Sequence, residues 1–164
     1  MRFSLDPRFA CLPTVLADTL RRADCEAALL EASGLDLVVD SVEVLSDGAT
    51  RTRAKVTPRA ALPRWVQTAT GVDRFRYVQV TEVSADGLRA SWRIEPLVLA
   101  DRVQASGTTR IDAAPGGCVR VFEGEVLVRA RFVGAAIEEG IVKDLRRGHD
   151  RAVGVMRLFL GGTA

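Results

Sequence analysis

A glutamate and a histidine that fall on the apolar side of a long C-terminal helix are the residues of this chain best placed for chemistry. His149 is the only histidine in the 164 residues, and imidazole is the side chain whose charge changes nearest neutral pH. Setting Ile137 at zero and turning about 100° per residue puts Glu138 near about 100° and His149 near about 120°. Ile141, Leu145, Ala152, Val155 and Met156 fall on the same side, so both polar groups point toward the interior or its opening. An unpaired buried polar group costs about 1 to 3 kcal/mol, and a ligand-filled cavity would supply partners. A second reading is open: Glu138 answers the helix dipole in the first turn, and His149 reaches a backbone carbonyl. Eleven positions separate the two, about 16 Å along a helix axis, so they form no hydrogen-bonded acid-base dyad. No catalytic residue is therefore assigned. The strand residues Arg93, Glu95, Asp101 and Thr109 are the groups available to complete a pair.

The helix that carries these residues runs from Ala135 to Leu160, about 39 Å at about 1.5 Å per residue. It follows an alternating segment, Cys118 to Phe132, so a period of two gives way at Gly134 to a period of 3.6. Gly140, Gly148 and Gly154 each lower its propensity by about 1 kcal/mol; tertiary packing must hold it, or the glycines allow close approach to the sheet. Upstream, Arg2 to Phe9 reads as a first strand. Pro13 opens a short helix through Arg22, and Asp24 caps a second, Cys25 to Ser33, that Gly34 ends. Strands then follow over about 35–45, 50–57, 75–83, 88–95, 103–111 and 118–132, punctuated by Asp47-Gly48, Asp86-Gly87 and Pro115-Gly116-Gly117. In Leu88 to Glu95, Ala90, Trp92 and Ile94 share one face, which predicts a pocket touching Ile141, Leu145 and Trp92. The segment 58–71 fits neither period. Its Trp65 reads either as a cover over one end of the core or as a lid.

Composition narrows the function classes. With 48% hydrophobic residues, residues 1–164 are expected to form one domain with a real core. Aromatics are 5%, so Val, Leu, Ile and Ala must fill it. The 23 basic and 21 acidic residues leave a net charge of +2, interleaved rather than blocked, which argues against a polyanionic partner. Lys55 and Lys143 are the only lysines, a bias that fits a GC-rich bacterial genome. Cys11, Cys25 and Cys118 lack C-x-x-C spacing, so buried reduced thiols are expected, with no metal site and no cofactor. Arg74 to Val80 lacks the glycine and partner helices of an RNA-recognition motif, and nucleic-acid binding is not expected. No apolar run is long enough to span a membrane. With no secretory signal at the N-terminus, a cytoplasmic protein, monomer or homodimer, is expected.

The order strand, two short helices, six strands and long helix resembles the helix-grip fold of the START-like superfamily of lipid carriers and polyketide cyclases. Ser106-Gly-Thr-Thr-Arg-Ile111, Glu123-Gly-Glu-Val126 and Phe132-Val-Gly-Ala-Ala-Ile-Glu-Glu139 are similar to a bacterial START-like family of unknown function. The resemblance implies an α+β fold: a six- to seven-stranded antiparallel curved sheet wrapped on the C-terminal helix, with two short helices after the first strand. It also implies a cavity for an apolar or amphipathic small molecule. Trp65, Trp92, Ile94, Glu138, Ile141, Leu145, His149, Ala152 and Met156 are the expected lining. Two alternatives stand beside a carrier: an enzyme of the cyclase or hydrolase kind using Glu138 or His149, and a pocketless structural domain.

Overall fold

A computed structural model describes residues 1–98, 100–131 and 134–161, excepting the side chains of 69 and 70. A proline divides the first strand. β1 (Arg2–Leu5) and β2 (Arg8–Phe9) both pair antiparallel with the last strand. Pro7 between them has no amide to give a ladder, and its carbonyl accepts the Arg120 amide at 3.0 Å. The single strand expected over Arg2 to Phe9 is therefore two. α1 (Pro13–Leu20) carries its proline in the first turn, where the missing N–H costs nothing. α2 (Ala23–Ser33) ends on Gly34 at φ 68°, a left-handed conformation that glycine adopts without a Cβ clash. Asp24 is not the N-cap expected of it. The helix begins at Ala23, and Asp24 lies in its first turn with its Oδ1 accepting the Cys25 amide at 2.9 Å.

β3 (Leu35–Val44), β4 (Thr50–Pro58), β5 (Tyr77–Val83), β6 (Arg89–Pro96), β7 (Val103–Ala114) and β8 (Gly117–Val128) follow. Each pairs antiparallel with the next, giving the order β1-β8-β7-β6-β5-β4-β3 with β2 beside β8. The two-residue β2 brings the sheet to eight strands, against the six or seven expected. Between β4 and β5, the segment that fits neither period contains α3 (Arg64–Thr70), whose seven residues are too few to show a helical repeat. The last element, α4 (Gly134–Phe159), is one unbroken helix through all three glycines. Phe132, at the end of the expected last strand, lies outside the described residues.

Strand register separates two faces, because residues directly opposite each other share a side. The convex face carries cross-strand ion pairs. Arg51 bonds Glu82 at 2.7 Å and Glu43 at 3.2 Å, and Arg53 grips Glu95 at 3.1 and 2.8 Å. That last pair reaches from β4 to β6 over β5, where Val78 and Val80 are only 6% and 2% exposed on the outer side. The concave face holds the core in two clusters. Phe9, Leu16, Ile111, Cys118, Ala152 and Met156 form one, and Phe3, Val103, Val126, Val128 and Val142 the other. α4 packs chiefly on β8 and α2. Its Gly148 faces α2, where an added Cβ would stand 3.7 Å from the Ser33 carbonyl oxygen; the close approach expected toward the sheet is made toward a helix.

Candidate functional site between the concave sheet and the last helix

Facing glycines shape the middle of the concave surface. Gly107 of β7 is directly opposite Gly124 of β8, and Trp92 of β6 is opposite Gly107. With no Cβ at either glycine, the indole lies over bare backbone: a Cβ built on Gly107 or Gly124 would come within 2.7 or 2.6 Å of Trp92 Cζ2. Phe3 and Phe122 close around it, with ring centroids 6.2 and 5.5 Å from Trp92. Trp92 Nε1 is sealed from solvent with no hydrogen-bond partner among the described residues.

From this aromatic group, two inner-face rows run out to the far edge. One passes from Trp92 through Thr81 and Thr52 to Val42, the other from Phe122 through Thr109, Ala90, Val83 and Thr50 to Val44. A third row, Ile94, Gln79, Ala54 and Val39, lies beside them. Gln79 donates to Thr81 Oγ1 at 3.1 Å. Although Val39, Val42 and Val44 share the side of the sheet that α4 occupies, they are 50%, 62% and 73% exposed. The helix, set against β8 and α2, leaves this part of the concave face uncovered. Tyr77 stands on the same face, its hydroxyl pushed up to about 12 by burial.

A polar layer separates the two apolar clusters. Along β8, Cys118 belongs to the first cluster and Phe122 flanks the second, with Arg120 between them; along α4, Leu145 flanks the second and Ala152 belongs to the first, with His149 between them. His149 stacks on Phe122, centroids 5.7 Å apart and planes at 5°. Arg120 Nη1 lies 3.5 Å from His149 Nε2, and its guanidinium carbon 5.9 Å from the Phe122 centroid. Burial, then the Arg120 charge, pulls the His149 imidazole down to about 4. It is therefore neutral at pH 7, and its Nε2 can accept from the guanidinium when the proton is on Nδ1.

The residues expected from sequence divide into groups. Trp92, Ile94, Ile141 and Leu145 come together around the Val126–Val142 cluster. Ala152 and Met156 sit in the other cluster, 7% and 3% exposed against Leu16 and Cys118. Glu138 is engaged at the start of the helix: Oε2 holds the N-terminal ammonium at 2.8 Å and Oε1 accepts the Val128 amide at 2.8 Å. Those two hydrogen bonds hold its carboxyl below the usual range. Trp65 projects from α3 at 49% exposure, while its neighbour Val66 is buried. Two surface depressions, of about 410 and 290 Å³, are lined by β-strand and hairpin residues and by none of α4. Sequence reasoning missed Arg120. The signal was present, since Arg120 shares the parity of Cys118, Phe122, Val126 and Val128 on an otherwise apolar strand face.

These features define a helix-grip fold, with a curved antiparallel sheet around one long helix. Residues 9–160 match the family model described as "Protein of unknown function (DUF2505)", and the chain belongs to that family. No curated protein sequence matches it. Among solved structures, TTHA0849 from Thermus thermophilus is similar over 100% of both chains, at 14% identity and a TM-score of 0.63. Ara h 8.0201 is similar over 99% of both, at 14% identity and 0.59. The di-domain ARO/CYC StfQ from the steffimycin biosynthetic pathway is similar over 96% of this chain and 50% of its own, at 11% identity and 0.66. At such identities these likenesses speak to the fold.

Proposed function

We propose that the protein binds an apolar or amphipathic small molecule against the concave face of the sheet, between α4 and the β3 edge. The observation that carries this reading is the uncovered inner side of the edge strand β3, with three valines at least half exposed on the side the helix occupies. Apolar area left in water is unfavourable by roughly 25 cal/mol per Å², and an apolar body laid there would remove it. Trp92, Ile94, Ile141 and Leu145 would form its apolar wall, with Trp65 at the margin. Thr52, Gln79 and Thr81 would offer hydroxyl and amide contacts, as expected of a site that orients a ligand with few polar groups. The fold likeness to an ARO/CYC protein supports a small-molecule occupant. The same proposal has the protein acting in the cytoplasm as a monomer or homodimer. No helix among the described residues is long and apolar enough to cross a membrane.

The test is a fluorescence titration with anilinonaphthalene sulfonate. Wild-type protein is expected to bind the dye with enhanced emission. Val42→Glu, which puts a charge on the inner row, is expected to weaken binding about tenfold, the worth of one buried valine contact. Ser91→Glu, on the convex face, should leave it unchanged. Equal weakening by both, or no binding by wild type, would contradict the proposal.

A further inference from the structure

We infer that Arg120 is the specificity-determining cation of this site, selecting an amphipathic ligand whose polar end is a single carboxylate. The inference rests on the ligand-binding reading above and adds the chemistry of the ligand's head. Arg120 stands on the concave face of β8, opposite Ile111 and between two apolar clusters. A guanidinium brought into such surroundings ordinarily has a carboxylate, because desolvation of an unpaired ion is costly. Among the described residues Arg120 has no ion pair, and its Nε is shielded from solvent without a hydrogen-bond partner. Burial alone shifts its acidity, down to about 10, with no carboxylate acting against it.

Its two close neighbours are incomplete partners. His149 is neutral, and its one 3.5 Å contact is to Nη1, which leaves Nε without a partner. The Phe122 ring, at 5.9 Å from the guanidinium carbon, attracts the charge without accepting a directed bond from Nε. A carboxylate accepts two parallel N–H bonds from a guanidinium and neutralises it. The layer supplies one positive charge, since His149 is uncharged at pH 7, so it matches a monoanion. A phosphate monoester, with about 1.5 to 2 negative charges, would be left partly uncompensated. Phe122, Trp92 and the inner row toward Val44 would then lie against the apolar body, and the head and tail contacts would be continuous on one face.

Three probes of equal chain length separate this inference from the reading it rests on: decanoate, 1-decanol and decylammonium, titrated calorimetrically into wild-type protein and Arg120→Met at pH 7. Wild type is expected to bind decanoate about ten- to a hundredfold tighter than decanol, the range of one charge-assisted contact, and decylammonium weakest. In Arg120→Met the acid and the alcohol should bind within about twofold of each other, and the variant should melt no lower than wild type, since it loses an unpaired ion. Equal wild-type affinity for acid and alcohol would overturn the role of Arg120 and leave ligand binding standing. Absence of binding by all three would overturn both. The wild-type comparison decides the matter if the variant does not fold, and Arg120→Lys, which keeps the charge without the fork, should retain part of the acid preference.

Discussion

Gly124→Ala is expected to be among the most destabilising single-methyl additions in the protein, at about 3 kcal/mol or more. Its Cβ would stand 2.6 Å from the Ser106 carbonyl oxygen, 2.6 Å from Trp92 Cζ2 and 3.1 Å from Phe3 Cζ. The first of these is backbone in a paired strand, so relief requires the β7–β8 ladder itself to shift, and the indole is held between Phe3 and Phe122. A thermal melt should show a fall of roughly 10 °C, given about 2 to 4 °C per kcal/mol for a domain of this size. Gly140→Ala is the control with opposite sign. Nothing lies within 4 Å of a Cβ there, so the gain in helix propensity, about 1 kcal/mol, should raise stability. A Gly124→Ala protein as stable as wild type would show that Trp92 does not depend on the bare glycine patch.

The second large effect is a loss of stability on mild acidification. The folded state holds the His149 imidazole near about 4, well below its usual 6.5, through burial and the Arg120 charge, with Asp150 opposing in part. Between about pH 6.5 and 4 the unfolded chain takes up a proton that the folded chain does not. Stability therefore falls as pH falls through that window, by at most about 1.4 kcal/mol per pH unit and about 3 kcal/mol across it. Glu95 and Glu138 are held below the usual carboxylate range by their hydrogen bonds to Arg53 and the N-terminal ammonium, so their contribution is lost at lower pH. Urea midpoints should be level from pH 8 to 7 and then decline to pH 4, while those of His149→Gln should decline much less. A wild-type midpoint unchanged from pH 7 to 4.5 would contradict the burial of His149.

How much of this was legible in the sequence varied from element to element for physical reasons. α4 was legible because 26 residues repeat a 3.6 period many times over, and Gly34 because a residue that ends a helix in left-handed geometry is usually glycine, sometimes asparagine. Trp92 was placed on the inner face by strict alternation with Arg89, Ser91 and Arg93. Arg120 escaped because the start of β8 is apolar on both sides, Val119 and Val121 alternating with Cys118 and Phe122, and an arginine in a strand reads as solvated; the parity that marks its face inner shows only farther along, where Glu123 and Glu125 fall on the side of Val119 and Val121. The tie between Glu138 and the N-terminal ammonium joins positions 137 apart, and no local pattern reports such a contact. α3 failed on length.

The central claim, a small molecule bound on the concave face, is tested most directly by side-chain NMR during a titration with decanoate. The inner-face groups should move together: the Trp92 indole N–H, the Gln79 carboxamide and the methyls of Val39, Val42 and Val83. Val38, Val78 and Val80, on the convex side of the same strands, should stay in place. Shifts confined to the convex valines, or a spectrum unchanged at millimolar decanoate, would contradict the account.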